Sequence, residues 1–165
     1  MMDTKSVRLV GGDRRYACAA RLLRRRGVPA AVYGVETMEN DFPDLHSALQ
    51  GAALLVLPHG ALQGERLTVG GEAVDGSLLP SMLKKGALVL GGPVPAELER
   101  WFSENDLMWQ DLQEEESYRT ANAAITAEGA AYLTMGALDR TLLGAEILVI
   151  GWGRIGKQLA LRLCA

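Results

Sequence analysis

Four consecutive apolar residues, 147–150, lead without a break into Gly151-x-Gly153-x-x-Gly156 and then into Lys-Gln-Leu-Ala-Leu-Arg-Leu. That order fits a buried strand, a tight turn and an amphipathic helix. Each glycine has its own task in such a unit. The first allows the sharp turn, the second lets backbone approach a pyrophosphate, and the third lets helix pack on strand. The helix N-terminus then presents unpaired N–H groups to an anion. Gly151, Gly153, Arg154, Ile155 and Gly156 are therefore the expected cofactor-binding residues. Nine residues follow Gly156, whereas the acid that holds a ribose in such units lies roughly 20 residues on. Residues 144–165 read as the first βα unit of a truncated dinucleotide-binding domain.

The rest of the chain alternates strand and helix signals. Strands are expected at 7–10, 30–33, 52–57, 87–90 and 107–112, the last at an edge. Helices are expected at 14–26, 77–85 and 95–105, with a further short helical stretch between the second and third strands. Asp13 suits the N-cap of the first helix, and Arg24, Arg25 and Arg26 suit its negative C-terminal end. Residues 60–76 hold five glycines and read as a long loop. Short apolar strands joined by helices predict an α/β domain over residues 1–116: an open, mainly parallel sheet with helices on both faces, flavodoxin-like or Rossmann-like. Residues 117–143 are Ala-rich and read as a helical hinge, either one long helix or two with Thr126 capping the second. Ligands on open sheets bind at strand carboxyl ends. Here those ends are Gly11-Gly12-Asp13, Pro58-His59-Gly60 and Gly91-Gly92-Pro93, where glycines mark either tight turns or a rim that approaches something closely.

Bulk properties narrow the function classes. Net charge is −3 and the pI about 5.4, which gives nucleic acid or an anionic membrane no electrostatic footprint. Cys18 and Cys164 lie within helical patterns, so no disulfide framework is expected and Cys18 reads as core; a reducing, cytoplasmic setting follows. No Cys/His cluster has zinc spacing, and neither a hydrolase elbow nor a P-loop occurs, so no metal site is expected.

Chemistry concentrates in two places. At the first strand–helix turn, Arg15 could bind a carboxylate bidentately, with Gly12 beside it and Asp13 orienting it or taking a proton; the structural alternative is a capping Asp13 and a solvated Arg15. In the hinge, Glu128 has apolar neighbours three and four positions away. On one continuous helix it would lie among them as a general acid or base; on a helix starting at Thr126 it would be an ordinary first-turn acid. Asn122 and Thr126 would reach a ligand or serve as caps. His59 follows a strand but stands alone, and Glu114-Glu115-Glu116 reads as a solvated helix start.

The order of these motifs resembles the A subunit family of dipicolinate synthases. It is carried by Gly11-Gly12-Asp13-Arg14-Arg15 after a strand, the Asn122-to-Ala130 segment containing Thr126-Ala-Glu128-Gly129, and Gly151-Trp-Gly153-Arg154-Ile155-Gly156. The resemblance covers essentially the whole chain, which would correspond to the family's first lobe, hinge and first βα unit of the second lobe. It implies NAD- or NADP-dependent oxidation of a cyclic dihydro- or tetrahydrodipicolinate precursor from the lysine pathway to dipicolinate. It also implies a partner, the flavoprotein-like B subunit of dipicolinate synthase, and the mother-cell cytoplasm of a sporulating bacterium. A small dicarboxylate substrate gives Arg15 a task and places Gly12, Asp13, Asn122 and Thr126 around it, with Glu128 and Asp13 as catalytic candidates. A homo-oligomer is compatible with this reading. A truncated second lobe predicts weak or absent nicotinamide binding by this chain alone. Two alternatives are another two-lobed NAD-dependent dehydrogenase and a non-catalytic ligand-binding or assembly domain.

Overall fold

The structure is a computed structural model and describes residues 6–164. β1 (Val7–Val10) lies inside a five-stranded parallel sheet, between the edge strand β2 (Ala30–Tyr33) and the central strand β3 (Leu54–Val56). β7 (Leu88–Gly91) joins β3, and β8 (Met108–Asp111) closes the far edge, giving the order β2-β1-β3-β7-β8. Among parallel strands this is the 2-1-3-4-5 order of flavodoxin-like sheets. The switch point, where strand order reverses, lies between β1 and β3.

Alternation along the strands sends side chains to two cores. Val7 and Leu9 of β1 join Val32, Ala17 and Ala20 on the face covered by α1 (Arg14–Arg25). Val10, Leu55 and Val89 point the other way. They meet α2 (Leu45–Leu49), α3 (Leu79–Met82) and α4 (Ala96–Glu104) through Leu45, Leu49, Leu79, Leu98 and Phe102. A residue pattern of period two thus becomes a three-layer sandwich. Asp13 caps α1 as its sequence position suggests, accepting from Arg15 N–H at 2.9 Å. Asp44 does the same for α2, accepting from Ser47 N–H at 2.6 Å. The expected helix over 77–85 is a 3-10 turn (Gly76–Leu78) followed by the short α3. Cys18, expected in the core, is exposed on the outer side of α1.

Residues 60–76 are not the expected loop. They form an antiparallel meander of β4 (Leu62–Gln63), β5 (Arg66–Val69) and β6 (Glu72–Asp75). Gly70 and Gly71 are the two-residue connection between β5 and β6, both with positive φ (60° and 87°). That is the backbone a tight twisted hairpin requires and only glycine adopts freely. The meander is fixed from beneath by buried Leu67 and Val69. It is fixed from the side by Glu72, whose carboxylate accepts from the Tyr33 hydroxyl and, at 3.0 Å, from Leu45 N–H.

One buried cation has no counterpart among the sequence expectations. Arg8 on β1 is 6% exposed. Its Nη1 donates to the Ala48 and Gln50 carbonyls, each at 2.9 Å, and its guanidinium lies 5.0 Å from the Phe42 ring centroid. It therefore satisfies orphan carbonyls at the C-terminal end of α2, where a cation also suits the dipole.

The chain divides into two compact units, one running to Leu112 and one from Gln113. The second unit holds α5 (Glu116–Ala137), a single helix, and α6 (Arg154–Leu163), which packs on it. The expected hinge and the expected βα unit thus belong to one body. The expected strand over 147–150 is absent: those residues pair with no strand, and Leu148 and Ile150 are 84% and 90% exposed. A strand is defined by its ladder, and among the described residues nothing offers this segment one.

Candidate functional site

The glycine loop is the best-formed ligand-like feature of the second unit. Gly151 has φ of 105°, and a Cβ added at Gly156 would collide with the Gly151 carbonyl oxygen. The loop closes on itself there, and glycine is required for that contact. A Cβ at Gly153 would meet nothing within 4 Å. Gly153 is also the N-cap of α6 and makes no side-chain capping bond. The middle glycine therefore opens onto empty space at a helix N-terminus, which is what backbone approach by an anion needs. Gly151, Gly153, Arg154, Ile155 and Gly156 line a cleft of about 600 Å³ together with Gln113, Tyr118, Arg119 and Asn122 of the facing segment. All five loop residues expected from the sequence, and Asn122, are brought together in it. The residues present fit a nucleotide pyrophosphate by this donor set: free first-turn N–H groups, an open glycine and nearby arginines.

Both arginines in the cleft are occupied by acids. Arg154 makes a two-pronged bond to Glu116, with Nε–Oε1 at 2.9 Å and Nη2–Oε2 at 2.6 Å. The pairing holds the Glu116 carboxyl below the usual range and raises Arg154. Arg119 contacts Glu114 at 3.1 Å and donates to the Gln113 carbonyl. The acid triplet that reads as a solvated helix start therefore supplies counter-ions to the cleft. Pairing across 38 positions leaves no periodic trace in a sequence.

The remaining hinge residues sit differently from expectation. Because α5 is continuous through residue 126, Thr126 is not a cap; its hydroxyl donates to the Asn122 carbonyl at 2.7 Å. Glu128 is not packed among apolar groups. Its side chain is 66% exposed and pairs with Arg162 at 3.0 Å. The small neighbours Ala124 and Ala131 leave most of the carboxylate uncovered.

In the first unit, Arg15 folds back on Asp13. Nε lies 3.0 Å from both carboxylate oxygens and Nη2 lies 2.8 Å from Oδ2. Arg15's hydrogen bonds hold the Asp13 carboxyl below its ordinary range, so Asp13 is an ionised cap and counter-ion at neutral pH. The rim glycines do approach something closely, but it is the protein itself. An added Cβ at Gly11 would meet Pro58 and Val69 at 3.3 Å, and one at Gly34 would meet Val69 at 2.6 Å. One at Gly12 would strike the Tyr16 ring; at Gly91 and Gly92 the obstacles are Trp109 at 2.8 Å and His59 at 2.7 Å. Val69 of the meander therefore packs onto the switch-point rim of the first sheet. Among the described residues no group of three or more His, Cys, Asp and Glu side chains could hold a metal ion, and no helix is long and apolar enough to cross a membrane.

No family model matches the chain, and no curated protein matches it in sequence. Solved structures do match in fold. The chain spans 59% and 58% of the length of two of them, less than two thirds in each case. In architecture the chain is similar to the A subunit of dipicolinate synthase from Bacillus halodurans (TM-score 0.68) and to the dipicolinate synthase A chain from Bacillus subtilis (TM-score 0.67), each at 20% identity over 99% of this chain.

Proposed function

We propose that this chain is part of an NAD(P)-dependent oxidoreductase of the dipicolinate synthase A type, acting with a flavoprotein-like B subunit in the cytoplasm of a sporulating bacterium. The observation that carries the reading is the glycine loop: Gly156 closed on Gly151, and Gly153 open at the start of α6. The fold likeness over 99% of the chain supports the family within which that loop is read. A nicotinamide cofactor would supply the hydride acceptor for aromatising a dihydropyridine dicarboxylate. The α6 N-terminus, with Arg154 and Ile155, would hold its pyrophosphate.

Arg15 is the proposed anchor for a substrate carboxylate. Its guanidinium is kept in one orientation by Asp13, and a substrate carboxylate would take bidentate donors from it. Asp13, held ionised, orients this anchor. Glu128 is the carboxylate proposed to accept the proton released on oxidation, with Arg162 fixing its position. Asn122 and Thr126 are proposed substrate contacts, and Gly12 leaves the anchor's approach clear.

The test is oxidation of the lysine-pathway dihydrodipicolinate precursor with NAD or NADP, with and without the B subunit, by a protein that carries this chain and a complete second lobe. Dipicolinate absorbance is the readout. Product formation that falls at least tenfold in Arg15→Ala is the expected result. No product with either cofactor and the B subunit present refutes the assignment.

A further inference from the structure

The cleft at the glycine loop carries a feature that a simple anion site would not need. Glu116 lies in the first turn of α5, where the helix dipole favours a carboxylate. It engages the Nε and Nη2 edge of Arg154, the edge best shaped to hold a phosphate. Arg154 is the first residue of α6, next to the N-cap Gly153. Arg119, the other arginine of the cleft, is neutralised by Glu114 on the same segment. Each cation that could strengthen a pyrophosphate site is thus already matched with an acid from residues 114–116.

We infer that Glu116 is an internal competitor for the anion: its carboxylate occupies the guanidinium of Arg154, and a pyrophosphate gains that arginine only by displacing it. The inference rests on the phosphate-loop reading above and deepens it by naming the residue that sets affinity there. Displacement exchanges one charge-assisted pair for another, so the net gain from Arg154 is small while Glu116 is present. The exchange also expels a carboxylate into a site receiving negative charge, which opposes binding further at low ionic strength. Both side chains are about half exposed (51% and 64%), so the competition is modest. About two- to fivefold is the factor by which an exposed pair of this kind biases an equilibrium.

Calorimetric titration of this chain with inorganic pyrophosphate, and separately with NADH, tests it in four forms: wild type, Glu116→Gln, Arg154→Met and the double variant. Far-UV circular dichroism checks that α5 and α6 are retained. Glu116→Gln is expected to bind pyrophosphate about two- to fivefold more tightly at low salt, with the gain shrinking at high salt. In the Arg154→Met background the same substitution should bring only the smaller, salt-sensitive gain of removing a negative charge. Equal affinity of wild type and Glu116→Gln overturns the competition, as does an undiminished gain without Arg154; either leaves the phosphate-loop reading standing. Binding of pyrophosphate by none of the four overturns that reading and the competition with it. A gain with NADH but none with pyrophosphate also overturns the inference, because the affected contact is then to the nucleoside.

Discussion

Replacing Arg8 with methionine tests whether a buried arginine without a carboxylate stabilises this fold. Removing a buried ion pair for apolar groups is often neutral, because both desolvated charges vanish together. Arg8 differs, since its partners are main-chain carbonyls that stay behind. The bond to the Ala48 carbonyl is buried and the bond to the Gln50 carbonyl is half-buried, both at 2.9 Å. An acceptor left unsatisfied in the interior costs about 1–3 kcal/mol, and a half-buried one costs about 1 because water can reach it. The contact to Phe42 contributes about 0.5–2 kcal/mol more. Against these stands the desolvation of the guanidinium, visible as an Arg8 pKa held below the ordinary arginine range by burial; methionine is spared that cost. The net expectation is a loss of about 2–4 kcal/mol, equivalent to about 10–20 °C in Tm for a domain of this size. Urea unfolding with hydrogen exchange gives the magnitude and the place: the amides of α2 should lose protection before those of α1. An Arg8→Met variant within about 0.5 kcal/mol of wild type, with α2 equally protected, would refute the reasoning. The five-residue helix would then be held by buried Leu45, Ala48 and Leu49 and by its Asp44 cap.

Two other outcomes follow from single contacts. Tyr33, hydrogen-bonded to Glu72 and buried, has its pKa pushed up to about 12. A folded-state value raised above that of the unfolded chain means its contribution is fully present below about pH 10 and lost as pH rises toward 12. Ultraviolet titration should show one tyrosine ionising last, and that step should vanish in Tyr33→Phe; a Tyr33→Phe variant with an unchanged titration curve contradicts the assignment. Gly156→Ala places a methyl group inside the Gly151 carbonyl, and the loop must open to admit it. We expect α6 amides to exchange at least tenfold faster and pyrophosphate affinity to fall at least as much; unchanged exchange would show that the loop closes some other way.

Much of the first unit is legible in the sequence because its strands and helices are encoded locally. Leu9 and Val10 point to opposite cores by strand alternation alone, and Asp13 announces α1 by capping chemistry. The glycine content of 60–76 hides the meander, although Leu67 and Val69 alternate with polar residues ahead of Gly70-Gly71, a hairpin signal in its own right. The failure at 147–150 has the opposite cause. The segment has strand composition, but composition cannot supply a neighbouring strand. In the candidate site, the loop glycines are readable because their spacing is local. The pairs Glu116–Arg154 and Glu128–Arg162 are not, since they join residues 38 and 34 positions apart.

The seat of Val69 against Gly11 and Gly34 also bears on thermodynamic linkage. A protein whose sheet rim is completed by a bound ligand gains stability only at ligand concentrations above the dissociation constant. Here the rim is completed by a side chain of the same polypeptide, present at an effective concentration no solute matches. The first unit is thus expected to fold in the absence of substrate, and a carboxylate anchored at Arg15 should raise its melting temperature only by the mass action of that one contact.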